Sequence, residues 1–204
     1  MSELNFNFND VKVEIFESKY LEPGNYVVKT TKVAKGVSSG KSSPFIEIFV
    51  EAEDGLTANH KYYLTSTPGA SGKSALDITS SQLVILVAAA NNLDINSEEG
   101  KTKAKSLIGQ VKSIDELIGK VASLLVGKSF ALKLNGKWVN PTDITKKPYI
   151  ISEFAGGVFA LPTSQLANLK PFDPTKGIKG EPGSSVTANS ASTGLPGANA
   201  TANW

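Results

Sequence analysis

Two neighbouring strand-like segments place aromatic and lysine side chains on a common face. Side chains alternate between two faces along Phe45–Val50 and Leu56–Thr65. Aromatic rings can stack on planar groups such as nucleobases, and lysine ammonium groups can contact phosphates. If the more apolar face of each segment points into a core, the opposite face carries Phe45, Phe49, Lys61 and Tyr63.

The same alternation predicts the inner face. The core side would hold Ile46, Ile48 and Val50 from one segment and Leu56, Ala58, His60, Tyr62 and Leu64 from the other. An alternative places Phe45 and Phe49 beneath neighbouring helices, since aromatic residues are often buried. Two glutamates on the outer face, Glu47 and Glu51, argue against a polyanionic ligand there.

A second candidate element lies later in the chain, where Lys133, Lys137 and Trp138 surround a predicted Asn135-Gly136 turn. These residues would add another stacking ring and two phosphate contacts. The alternative is that Trp138 is a packed structural residue. The Lys101–Lys105 segment contains three lysines and is interpreted as a solvated loop.

Residue types that support catalysis or metal binding are scarce. The chain has one histidine, His60, on the predicted core face, and no cysteine. Three Gly-Lys-Ser tripeptides lack the additional glycine five residues earlier that a phosphate loop requires. The acidic pairs lie in predicted turns, loops and helix starts. We therefore predict no enzymatic activity, no catalytic residue, no cofactor and no metal site.

The order of elements predicts a β-rich protein with a helical insert. A possible edge strand, Val11–Phe16, precedes three strand-like segments, and a turn at Glu53-Asp54-Gly55 joins the last two. Helices are predicted within about 75–126, one near Thr79–Asn91 and one after Ser113, where Ser113 and Glu116 form a capping pattern. Further strands follow at 129–134, 137–139 and 149–159. This order is that of an OB-fold-like five-stranded barrel with helices between strands 3 and 4, although another small barrel or a sandwich would also fit.

Charge is distributed unevenly along the chain. All 21 basic residues are lysines, so bidentate guanidinium contacts are excluded. Residues 1–100 contain 8 lysines and 13 acidic residues, whereas residues 101–170 contain 11 lysines and 4 acidic residues. The later part is therefore basic, which suits a polyanionic partner. No apolar run is long enough for a membrane span, and no signal peptide is apparent, so we expect a cytoplasmic protein without membrane contact.

Short motifs carry a family resemblance. The segment Leu21–Tyr26 contains a Pro-Gly-x-Tyr pattern, and it leads into a strand, a basic loop, the Pro44–Ile48 strand and the Asp54-Gly55 turn. This arrangement, together with Leu124–Trp138, resembles phage-encoded single-stranded DNA-binding proteins of OB-fold type over about residues 20–160. The resemblance implies sequence-tolerant binding of single strands in DNA replication or recombination, in the host cytoplasm.

The C-terminal segment has a different composition. Residues 171–204 are rich in Pro, Gly, Ser, Thr, Ala and Asn, and are predicted to form a disordered tail after a domain of residues 1–170. Proteins of the family that the chain resembles often end in an acidic stretch with an aromatic residue that recruits replication or recombination proteins. Here Trp204 is a candidate partner-binding residue, but residues 194–203 contain no acid. The alternative function is a structural or accessory virion β-barrel protein with a flexible tail; the oligomeric state is left open.

Limited proteolysis tests the predicted domain boundary. We expect a protease to remove residues from about 175 onward and to leave a folded body, because exposed chain of this composition is readily cleaved. Mass spectrometry of the resistant fragment would locate its end. A tail that stays intact while the body is cleaved would contradict the prediction.

Overall fold

The computed structural model describes residues 19–69, 71–139, 149–154 and 157–171, with the backbone alone for 138, 139, 149 and 150. Six antiparallel strands and three α-helices form a β-rich α+β fold. The strands are β1 (Gly24–Val37), β2 (Pro44–Ala52), β3 (Thr57–Tyr63), β4 (Ser129–Val139), β5 (Tyr149–Phe154) and β6 (Ala160–Leu161). The predicted strand Val11–Phe16 and the tail from residue 172 lie outside the described residues.

The sheet has the strand order β3-β2-β1-β4-β5, and β6 pairs with β4 beside β5. The β2–β3 turn forms as predicted, because Gly55 adopts a positive φ of 81° and its N–H donates to the Ala52 carbonyl. The two strands at the ends of this order approach each other. The His60 ring of β3 stacks on the Phe154 ring of β5, with centroids 5.2 Å apart.

Three helices lie between β3 and β4, where the sequence predicts the helical insert: α1 (Ala75–Ala90), α2 (Glu98–Ile108) and α3 (Ile114–Leu125). Helix α1 begins four residues earlier than predicted, because Ser74 and Asp77 form a capping box. Helix α3 begins after Ser113, whose hydroxyl accepts a hydrogen bond from the Glu116 N–H. Among the described residues, no helix is long and apolar enough to span a membrane.

Three local predictions were wrong. Lys101–Lys105 is not a loop but lies within α2, where Lys101 pairs with Glu98 and Lys103 with Glu99. Residues Asn135-Gly136 do not turn the chain, because β4 continues through them and pairs with β5. The predicted strand 149–159 ends at Phe154, and the short strand β6 follows it.

The core lies between the inner face of the sheet and the helices. Phe130, Leu132 and Leu134 of β4 are fully buried, as are Leu86 and Val87 of α1. The Thr79 hydroxyl of α1 also donates to the Tyr63 carbonyl at 2.8 Å, which attaches the helix to β3. The helices therefore cover the inner side of the sheet, and any binding surface on β1–β2–β3 must use its outer side.

The contact between β3 and β5 predicts a dependence of stability on pH. Burial lowers the pKa of His60 from its ordinary value of 6.5, while the Glu153 carboxylate opposes this shift. As pH falls through about 6.5, the unfolded chain binds a proton before the folded chain does, so stability falls. It should continue to fall until the pH reaches the folded pKa.

Chemical unfolding between about pH 8 and pH 5.5 would measure this effect, because the chain has no other histidine. His60→Gln is the matched variant, since glutamine is polar but does not titrate. The variant should show a weaker pH dependence than the wild type. Equal pH dependence in both proteins would show that His60 does not contribute it.

Candidate nucleic-acid interface

The inner face of the β2–β3 hairpin follows the predicted alternation. Ile46, Ile48 and Val50 have no exposed surface, and Tyr62 is 1% exposed. His60 and Leu56 are half-buried, and they also lie on this side. The alternate residues of both strands consequently point away from the core.

On the outer face, the structure brings Phe45, Lys61 and Tyr63 into contact. Phe45 pairs with Tyr63 across the two strands, and their rings meet edge to face with centroids 5.7 Å apart. The Lys61 ammonium lies 4.9 Å from the centroid of the Phe45 ring. Tyr63 is 40% exposed, and Lys61 is also exposed. Aromatic and cationic groups therefore share one solvent-facing surface.

Phe45 differs from the other members of this set because it is only 7% exposed. It points outward, yet its ring lies over Gly36 of β1, where an added Cβ would come within 2.2 Å of it. Tyr63 and Lys61 contact it from the neighbouring strand. The prediction that Phe45 is an exposed stacking ring was therefore wrong, and this residue supports the surface around it.

A β-bulge adds two lysines that the sequence analysis missed. Thr30 pairs with Val50 and Lys32 pairs with Phe49, so Thr31 is an extra residue in β1. Lys29 and Lys32 are three positions apart and would face opposite sides of a regular strand. The bulge places both on the outer face, where the Lys32 ammonium lies 5.6 Å from the centroid of the half-buried Phe49 ring.

We call the outward-facing residues of β1, β2 and β3 the hairpin face. Its charged residues are three lysines and two glutamates, which gives a net charge of +1: Lys29, Lys32, Lys61, Glu47 and Glu51. The Asn59 amide donates to the Glu47 carboxylate at 2.5 Å. The Glu47 carboxylate is thereby held against β3, whereas the contacts described for this face give no such hydrogen bond to the three lysines or to Glu51.

The lysines of β4 lie apart from the aromatic residues of the hairpin face. Lys133 pairs with Asn25 of β1. Asn25 is eleven residues from Gly36, which pairs with Phe45. Lys137 lies further along β4, where its ammonium is 3.8 Å from the Glu153 carboxylate. Trp138 belongs to β4, and its backbone pairs with Ile150. Trp204 lies outside the described residues, so the predicted partner contact stays a prediction.

Metal centres and surface grooves are two other kinds of site that the described residues could form. These residues contain no group of three or more His, Asp or Glu residues that could hold a metal ion. Grooves of about 600 Å³ and 550 Å³ flank α1 and share Val158, which is 45% exposed. Most of the surface that lines these grooves is apolar, although lysines and serines also line them.

No protein-family model matches this chain, and no curated protein matches it either. Any functional assignment consequently depends on the geometry of the hairpin face and of the surfaces around it.

The different environments of Phe45 and Phe49 predict different effects on folding. Phe45→Ala should lower the free energy of unfolding by about 3 kcal/mol, since it removes a buried ring. Phe49→Ala removes a half-buried ring and should cost clearly less. Urea unfolding of both variants would measure the difference. Equal losses would mean that the two rings are equally important to the fold.

Proposed function

We propose that the protein binds single-stranded DNA on the hairpin face, with little sequence preference and without catalysis. One observation carries this proposal: two rings accessible to solvent, Phe49 and Tyr63, lie beside Lys32 and Lys61 on the outer side of the sheet. Every base has an aromatic face that can stack on a ring, while lysines contact the common backbone. Such a surface favours binding to single strands whatever their base sequence.

We further propose that the sheet is an OB-type barrel. The order β3-β2-β1-β4-β5 is the one obtained when an OB barrel is opened between its third and fifth strands. The stacking of His60 on Phe154 supports closure at that position. OB folds commonly use the face of strands 2 and 3 for oligonucleotides, and this face coincides with the surface described here.

The β1–β2 loop extends this surface beyond the Phe45–Tyr63 pair. The loop is ordered by its own hydrogen bonds, because the Ser38 N–H donates to the Ser43 carbonyl and the Ser43 N–H donates to the Ser38 hydroxyl. Lys41 is exposed within it. A lysine in this loop would contact the backbone of a strand leaving the hairpin face, as loops of OB folds do.

A low net charge sets the expected salt dependence. Three lysines on the face and Lys41 of the loop correspond to about four phosphate contacts, and each contributes about −0.7 to the slope of log affinity against log salt for single strands. The slope should therefore be about −3. Stacking would supply most of the remaining affinity. A role in phage replication or recombination, with partner proteins recruited through Trp204, is proposed on the resemblance described above.

Substitutions on the hairpin face test the proposal directly. Phe49→Ala and Tyr63→Ala should each weaken binding of a fluorescent oligothymidine by about 1–3 kcal/mol, a typical stacking contribution. Lys32→Ala should weaken binding of all sequences similarly and reduce the salt slope by about 0.7. Fluorescence anisotropy at several salt concentrations would measure these quantities.

Two variants outside the face serve as matched controls. Ile78→Ala removes an exposed apolar side chain from α1, and Lys103→Ala removes a lysine from α2. Neither should change affinity or salt slope. Thermal melting of every variant separates loss of binding from loss of folding. Wild-type affinity in folded Tyr63→Ala and Phe49→Ala proteins would exclude the hairpin face as the site.

A second candidate is a structural role in a virion, and the apolar grooves beside α1 favour it. Leu76 and Ile78 of this helix are 37% and 47% exposed, which suits a contact with another protein. This function predicts no binding of oligonucleotides at low salt. The anisotropy measurement therefore distinguishes the two candidates.

A further inference from the structure

A pocket of about 450 Å³ lies beside β4, β6 and the 3₁₀ helix Thr163–Asn168. Its polar lining includes Lys133, Gln165, Asn168 and Lys170, and among the described residues no aspartate or glutamate lines it. Its volume falls in the range of small-molecule sites. The pocket is separate from the hairpin face, and no residue of that face lines it.

Hydrogen bonds hold the backbone of both lysines in position. The Lys133 N–H donates to the Phe159 carbonyl at 2.8 Å, beside the pairing of Lys133 with Asn25. The Asn25 amide in turn donates to the carbonyls of Leu169 at 3.1 Å and Lys170 at 3.4 Å. One asparagine thus links the strand that pairs with Lys133 to the segment that carries Lys170.

Neither lysine is neutralised by a neighbour in the described part of the chain. The ion pairs found there involve other lysines, on β1, α2, α3 and the far end of β4. Two lysines in the lining without an ion-pair partner among the described residues raise the local positive potential, and a concave site strengthens it. The amides of Gln165 and Asn168 provide further hydrogen-bond donors for an anion.

We propose that this pocket binds a phosphate ester through Lys133 and Lys170. The apolar side chains of Leu161 and Val158 in the lining would contact the organic part of the ligand. The phosphate has two possible sources, a free nucleotide or the backbone of a nucleic-acid strand. The second source rests on the proposed function, in which a strand lies on the outer side of β1. Asn25, which pairs with Lys133, faces this side together with Lys29.

Titration of the full chain with thymidine monophosphate, followed by amide NMR, tests this proposal. We expect shifts of the amide signals of residue 133 and residues 165–170, and no such shifts with thymidine, which lacks the phosphate. Lys133→Gln and Lys170→Gln should each raise the dissociation constant about tenfold, as expected for loss of one charge-assisted contact. Lys103→Gln, on α2, is the matched control and should leave the constant unchanged.

Two further measurements separate this site from the hairpin face. Tyr63→Ala should leave binding of thymidine monophosphate unchanged, even if it abolishes binding of oligothymidine. Oligothymidine that displaces the nucleotide would identify the strand backbone as the source of phosphate. Oligothymidine that binds without displacing it would identify a free nucleotide.

The proposal is overturned if thymidine shifts the same signals equally, or if the nucleotide shifts none of them at millimolar concentration. It is also overturned if the Lys133 and Lys170 variants bind as tightly as the Lys103 variant. None of these results depends on whether the hairpin face binds DNA, so the two proposals fail independently.

Discussion

Complete burial of one side of β2 determines the arrangement of the candidate surface. Ile46, Ile48 and Val50 have no contact with solvent, and each contributes on the order of 1.5–3 kcal/mol by leaving water. Shifting the strand by one residue would expose all three and bury the charged residues between them. The hydrophobic effect therefore fixes not only the core but also which rings and lysines face outward.

The contact between β3 and β5 places polar groups in an apolar environment. Tyr62 is packed edge to face against His60, with ring centroids 4.6 Å apart, and burial raises the pKa of its hydroxyl well above the usual value. That hydroxyl has no hydrogen-bond partner among the described residues. An unsatisfied buried hydroxyl costs about 1–3 kcal/mol. Aromatic packing with Phe154 offsets this cost at the position where an OB-type barrel would close.

Patterns among residues that are close in sequence predicted much of the fold. Alternation in β2 and β3 identified the inner face, and the Ser113 capping pattern located the start of α3. These features depend on residues close in sequence. The Asn135-Gly136 turn was wrong because pairing with β5 outweighs local turn preference. Helix α2 was missed because its two ion pairs, each one turn apart, are visible only after the segment is recognised as helical.

The candidate surface was predicted in part. Alternation brought Lys61 and Tyr63 to the outer side, but it could not show that Gly36 leaves room for Phe45 to become buried. It also could not reveal Lys29 and Lys32, because their spacing indicates a common face only when a bulge is present. Lys133 was identified by type and charge, yet its pocket forms from segments distant in sequence.

The bulge at Thr31 lets β1 hold one more residue than the stretch of β2 with which it pairs, without exchanging core and surface. The extra residue changes the phase of the strand between its two halves, so that residues before and after it obey different parity rules. Deleting Thr31 would leave Lys29 and Lys32 two positions apart, which is the spacing that puts both on one face of a regular strand. The lysines would therefore keep their outward direction, and evolution could gain or lose this residue while changing mainly the local twist of the sheet.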